Sequence, residues 1–229
     1  MNLNSCNTSI SMTTSPLYCN DLTLSPYARA IPYAADRLAI DAQQTGTLQT
    51  SSQQVNYGFK NLKIKPSLIE TIPELADDAS LKALVKAINQ SDTCFFTVGC
   101  FSERSQTEQG HRRRGYLSFA WNCAGCVQDA INYFALYFHF EKSLRENGFN
   151  QPVQFKWIIQ ESAFSDAKID GFACAVHLET RALSSPEQAD LVWQISLRMI
   201  GAYLETVKTL TSTPIYKPLS DCSNEEIMS

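Results

Sequence analysis

The sequence has no long hydrophobic run. Its richest stretch, Ile131 to Phe140, is interrupted by Asn132 and His139, well short of the roughly 18 consecutive apolar residues of a membrane helix. A basic excess is missing too: 19 Lys+Arg against 23 Asp+Glu give a net charge of -4. That excludes bulk electrostatic attraction to nucleic acid or to an anionic membrane and leaves only a local basic patch. Charge itself is scarce, at 18% of residues against the usual quarter or so. The N-terminus has no basic residue before Arg29 and no apolar h-region, so no secretory or transit signal is read and a cytoplasmic protein is expected. There is no Ser-His-Asp order, H-E-x-x-H, G-x-G-x-x-G or P-loop. No metal and no cofactor is expected.

What is present is enough apolar material for a core: 44% hydrophobic and 10% aromatic residues. Eight cysteines are many for 229 residues. In an unsigned chain of this size most read as reduced, with Cys94, Cys100 and Cys174 as small buried hydrophobes in strand-like runs. Residues 1–58 stand apart, with 24 Ser, Thr, Asn and Gln and only five charges. Such a composition buries too little apolar surface to offset its ordering entropy, so a flexible segment is expected. Residues 59–218 read as one domain and 219–229 as a polar tail.

Within the domain, Tyr57 to Lys65 reads as a short strand. Leu81, Leu84, Val85 and Ile88 fall at i, i+3, i+4, i+7 and predict a helix, with Asp77, Asp78 and Ser80 as cap choices. Thr93 to Phe101 and Gly115 to Trp121 read as strands joined by a polar loop, Ser102 to Arg114. Val127 to Glu146 is a helix ending at Asn147-Gly148. Val153 to Glu161 and Phe172 to Thr180 are strands. Ser185-Pro186 with Gln188 starts the last helix, its buried stripe read as Val192, Ile195, Met199, Tyr203 and Val207. The order α-β-β-α-β-β-α gives an α+β fold, an antiparallel sheet with helices on one face.

Gly171 to Thr180, then Ser184 to Gln188 and the amphipathic helix to Val207, carry a resemblance. A strand ending in an acidic turn and followed by a capped terminal helix resembles the type III secretion chaperone-like fold shared with YbjN-type bacterial proteins. The likeness covers about residues 79–210 at the level of layout. It departs in having two strands before the central helix where that fold has three, in the long Ser102 to Arg114 loop, and in the extra N-terminal segment. The resemblance implies a non-catalytic, acidic, often dimeric protein that holds a segment of a partner chain.

Three candidate sites follow. The first is the outer face of the sheet. With Leu117, Phe119, Trp121, Val153, Phe155, Trp157 and Ile159 under the helices, the opposite face carries Ser118, Gln154, Lys156, Ile158, Gln160 and His177, and is the expected partner-binding surface. The second is Cys123 and Cys126, a Cys-x-x-Cys at a strand-to-helix junction. It is the alternative reading, a thiol-disulfide oxidoreductase, although the element order around it is not thioredoxin-like. The third is Arg112, Arg113 and Arg114, the only concentrated positive charge, as an anion or nucleic-acid binder. Finally, Val127 to Glu146 carries more aromatic surface than one sheet covers. A homodimer interface through Tyr133, Tyr137 or Phe140 is therefore expected.

Overall fold

The structure is a computed structural model that describes residues 16–31, 59–90, 93–164 and 167–207. Two short strands come first, β1 (Cys19–Leu24) and β2 (Arg29–Ile31). Two 3-10 turns, Pro66–Thr71 and Pro73–Leu75, lead into α1 (Ala79–Ile88). Next come β3 (Phe95–Thr107), β4 (Gly110–Trp121), α2 (Ala124–Val127) and α3 (Ile131–Glu146). The chain then forms β5 (Val153–Phe164), β6 (Ile169–Thr180) and α4 (Pro186–Thr206). The sheet runs β1-β5-β6-β4-β3, with β2 pairing further along β5. All neighbours are antiparallel except β1 and β2, which run parallel to β5. The fold is α+β with an open, mostly antiparallel sheet.

Three expectations need correction. Ser102 to Arg114 is not a loop: β3 and β4 continue through it to a turn at Glu108 and Gln109, closed by Gly110 at φ 127°. Residues 59–65 form no strand, although Leu62 is buried. The expected flexible segment 1–58 contains β1 and β2, so the element order gains two strands at its start. Residues 1–15, 32–58 and the tail 219–229 lie outside the described residues.

β5 shows how the sequence builds the core. Val153, Phe155, Trp157 and Ile159 are buried, while Gln154 and Lys156 face water. Beyond Ile159 the buried positions become Ser162 and Phe164, yet the pairing with β6 runs on without a slip. The pleat is unchanged; the covered face has changed. Phe164 packs edge-on against Phe96 at 6.0 Å, and Phe96 against Phe59 at 6.1 Å. A second, smaller core therefore lies on the outer face at this end, and it buries Ser118, Ala120 and Ala173.

The main core lies under α3 and α4. Phe140 packs on Phe155, Trp157 and Tyr203 at 5.2–5.4 Å. Of the expected α4 stripe Val192 and Tyr203 are buried and Ile195, Met199 and Val207 half-buried, and the buried face also takes in Trp193, Ser196, Leu197, Ile200, Gly201 and Leu204. The cause is α1 packing on its flank, where a Cβ at Gly201 would sit 3.0 Å from Leu84 Cδ1. Tyr133 and Phe140 are fully buried inside the protomer. Tyr133 donates its hydroxyl to Phe172 O at 2.5 Å, and half-buried Tyr137 donates to Asn20 O in β1 at 2.9 Å. The expected interface residues are thus used within one chain. The exposed aromatic of α3 is Phe138, two turns from exposed Ile131.

A buried ion pair ties the layers together. Asp78 Oδ1 accepts from Leu81 N at 2.9 Å and caps α1. Its Oδ2 accepts from Trp193 Nε1 of α4 at 2.8 Å and from the Arg113 guanidinium of β4. Arg113 also reaches Asp190 at 3.2 Å and lies 5.1 Å from the Trp193 ring centre. The Asp78 and Arg113 side chains are 5% and 3% exposed, so neither has water to fall back on. Removing one partner strands the other's charge, which costs about 3–5 kcal/mol. Asp78→Ala is expected to lower the unfolding free energy by that amount in a denaturant titration. Asp78→Ala with Arg113→Met is expected to recover part of the loss, because no buried charge is then left unpaired.

Candidate functional site

The outer face of the sheet holds an open groove of about 680 Å³. Its floor is built by alternation: Tyr116 on β4, His177 on β6 and Lys156 on β5 lie across from one another in register. Tyr116 packs on Phe101 at 6.3 Å and on His177 at 5.2 Å. Ile158 and Gln154 continue the β5 side, and Glu103, Arg114 and Glu179 form the charged rim. These side chains are exposed or half-buried because no helix covers this part of the face.

Of the expected partner-binding residues, the groove brings together Gln154, Lys156, Ile158 and His177. Ser118 is buried under the smaller core. Gln160 donates its amide to Tyr27 O at 2.9 Å, where the link between β1 and β2 crosses over it. Lys156 is exposed and makes no ion pair with the described residues, whereas the other groove charges are matched. Glu179 accepts from Arg112 at 3.1 Å, and Glu103 pairs with Arg114.

The arginine cluster is accounted for internally. Arg112 pairs with Glu179, Arg113 with Asp78 and Asp190, and Arg114 with Glu103. They project from a strand to alternate faces, so they do not converge on one anion. The cysteine pair is equally contained. Cys123 is buried as the residue before α2, and Cys126 is half-buried. Burial, with Cys123 as hydrogen-bond partner and Cys94 nearby, pushes the Cys126 thiol up to about 12. In a Cys-x-x-Cys at a helix start the attacking thiol is the first cysteine; here that is Cys123, which is buried, and a helix of one turn supplies little dipole to activate it. Among the described residues no group of three His, Cys, Asp or Glu is placed to hold a metal ion, and no helix is long and apolar enough to cross a membrane.

Next to the groove, sharing Tyr116, is a smaller cavity of about 80 Å³ lined by Arg29, Gly99, Cys100 and Glu74 among others. Sequence reasoning missed it. A signal existed: Gly99 interrupts an apolar strand run, a mark of a bulge or of close approach. The register between β3 and β4 does shift between Thr97 and Gly99. Comparison with family models, with curated proteins and with solved structures finds no match.

Three outcomes follow from these environments. Alkylation at pH 8 is expected to label exposed Cys19 well ahead of Cys126, read by peptide mass, and Cys123→Ser with Cys126→Ser is expected to keep the fold. Burial first, and Lys156 second, hold the His177 imidazole below its ordinary value of 6.5. A base whose folded value is depressed stays neutral in the native state while the unfolded chain takes up its proton, so stability falls as pH drops below about 6.5. The melting temperature of His177→Gln is expected to fall less than that of the wild type between pH 6.5 and pH 5.

Proposed function

We propose that this protein is a non-catalytic binding module that holds an extended segment of a partner protein in the groove on the outer face of its sheet. The observation that carries this is the groove floor itself. Tyr116, His177 and Ile158 give an apolar and aromatic strip, and beside it stands Lys156, a cation without a carboxylate among the described residues. An extended segment presents side chains to one face at every second residue. Tyr116, His177 and Lys156, on three adjacent strands, match a segment that places an apolar side chain and an acidic one on the sheet. The burial of Cys123, which would have to be the attacking thiol, favours binding over thiol chemistry. The layout resemblance to secretion-chaperone-like proteins points the same way.

A homodimer remains part of this proposal only through a different surface from the one expected. Tyr133 and Phe140 are inside the core, so self-association would use exposed Ile131 and Phe138 on α3.

The test uses site-specific photo-crosslinking. A photoreactive phenylalanine analogue at Ile158 is expected to capture a partner peptide, and the same analogue at exposed Arg198 on α4 is not. Competition should be lost in Ile158→Asp and weakened about tenfold in Lys156→Glu, since reversing a rim charge turns attraction into repulsion. Phe138→Ser should leave it unchanged. Equal capture at Ile158 and Arg198 would sink the groove assignment.

A further inference from the structure

Arg29 is the anomaly of the smaller cavity. It opens β2, held by parallel pairing to Ser162 of β5, just after a link whose Pro26 has no N–H to give to the sheet edge. Its side chain is directed across the outer face toward the β3 bulge. A Cβ at Gly99 would lie 3.8 Å from Arg29 Nη2, 3.8 Å from Tyr116 Cε2 and 3.9 Å from Tyr116 Oη. The guanidinium and the phenol hydroxyl thus converge on the space in front of a residue that has no side chain. Burial lowers the affinity of Arg29 for its proton, and the Tyr116 phenol acts the other way. Among the described residues Arg29 has no hydrogen-bonding or ion-pair partner, and neither does the Tyr116 hydroxyl. The other cation on the cavity wall, Lys60, is engaged with Thr71 O and Oγ1 at 2.6 and 2.8 Å.

Arg29 is half-buried, so its guanidinium has lost part of its hydration with no counter-charge gained among the described residues, which costs free energy, and the cavity beside it gives that counter-charge a place. We propose that the Arg29–Tyr116 cavity is a carboxylate-binding site. The space of about 80 Å³ corresponds to two or three waters at roughly 30 Å³ each, or to one carboxylate group. One unpaired guanidinium neutralises one negative charge. A carboxylate leaves the site neutral, whereas a phosphate dianion would leave a net negative charge facing Glu74 on the same wall. The planar fork of Arg29 matches two carboxylate oxygens, with the Tyr116 hydroxyl donating to one of them. The carboxylate comes either from a free small acid or from an acidic side chain of a bound segment, because Tyr116 is shared with the groove. The site stands whether or not the groove holds a protein.

The experiment is thermal unfolding of the full chain at pH 7 and constant ionic strength, with acetate, acetamide and a blocked Ala-Asp-Ala tripeptide as probes. Acetate is expected to raise the melting temperature saturably, and acetamide, its uncharged isostere, to do nothing. Tripeptide binding tighter than acetate assigns the carboxylate to a chain; acetate alone binding assigns it to a small acid. Arg29→Met should weaken acetate binding by about tenfold or more, and Tyr116→Phe, which keeps the ring packing on Phe101 and His177, by about threefold. Glu74→Gln removes a like charge and should tighten it. Lys156→Glu separates the two proposals, since it should impair the groove and leave the acetate response intact. A wild type that does not distinguish acetate from acetamide would overturn the site. So would Glu74→Gln that loses both stability and the acetate response, because Glu74 would then be the partner of Arg29.

Discussion

Three elements meet at one carboxylate. Asp78 caps α1 with one oxygen and with the other receives Arg113 from the sheet and Trp193 from the last helix. Each contact fixes a different degree of freedom: the start of α1, the depth of β4, and the rotation of α4. The close approach needs Gly115 on β4, where a Cβ would lie 2.9 Å from Trp193 Cη2. A buried ion pair is a poor source of net stability. It can still favour one register of β4: a two-residue slip carries Arg113 away from Asp78 on the same face, and a one-residue slip turns it to the other face.

α4 packs against β4, β5 and β6, and the outer face is divided. At one end the chain entering at Phe59, together with Phe96 and Phe164, closes the face and buries Ser118, Ala120 and Ala173. At the other end nothing covers it. Tyr116 stands at the boundary, half-buried, with the open groove on one side and the Arg29 cavity on the other. A fully covered sheet would have no site, and a fully exposed one would have no desolvated cation. The proposed binding surface depends on partial cover.

Much of this was legible in the sequence where one physical signal dominated. The i, i+3, i+4, i+7 pattern of α1, the Ser185-Pro186 start of α4, and the alternation of Val153, Phe155, Trp157 and Ile159 all reappear as expected. The groove's Lys156, Ile158 and His177 were reachable from the same alternation. Reading failed where tertiary contacts override local composition. His111-Arg112-Arg113-Arg114 looks like a solvated turn because local charge says nothing of Asp78, 35 positions away from Arg113. The aromatic girth of α3 looks like excess surface because it is counted against one sheet. In fact α4 takes Phe140 through Tyr203, and β1 takes Tyr137 through the backbone of Asn20.

The polar N-terminal segment shows why a composition test can misjudge order. The test weighs apolar side-chain area against chain entropy. β1 and β2 bring little such area: Tyr18 and Ile31 are buried, while Leu24 and Tyr27 are exposed. What they bring is backbone. The outer edge of β5 presents unpaired N–H and C=O groups, which a protein must cover or blunt. A parallel strand satisfies them whatever its side chains, as the register from Cys19↔Gln154 to Leu24↔Ile159 illustrates. The side chains are then free to be polar, and Asp21 accepts from Gln154 at 3.0 Å in that role. The same edge pairing sets Arg29 against the β3 bulge. A segment with almost no hydrophobic case for folding thereby supplies a half-buried cation that has no ion-pair partner among the described residues, and the carboxylate site proposed above depends on it.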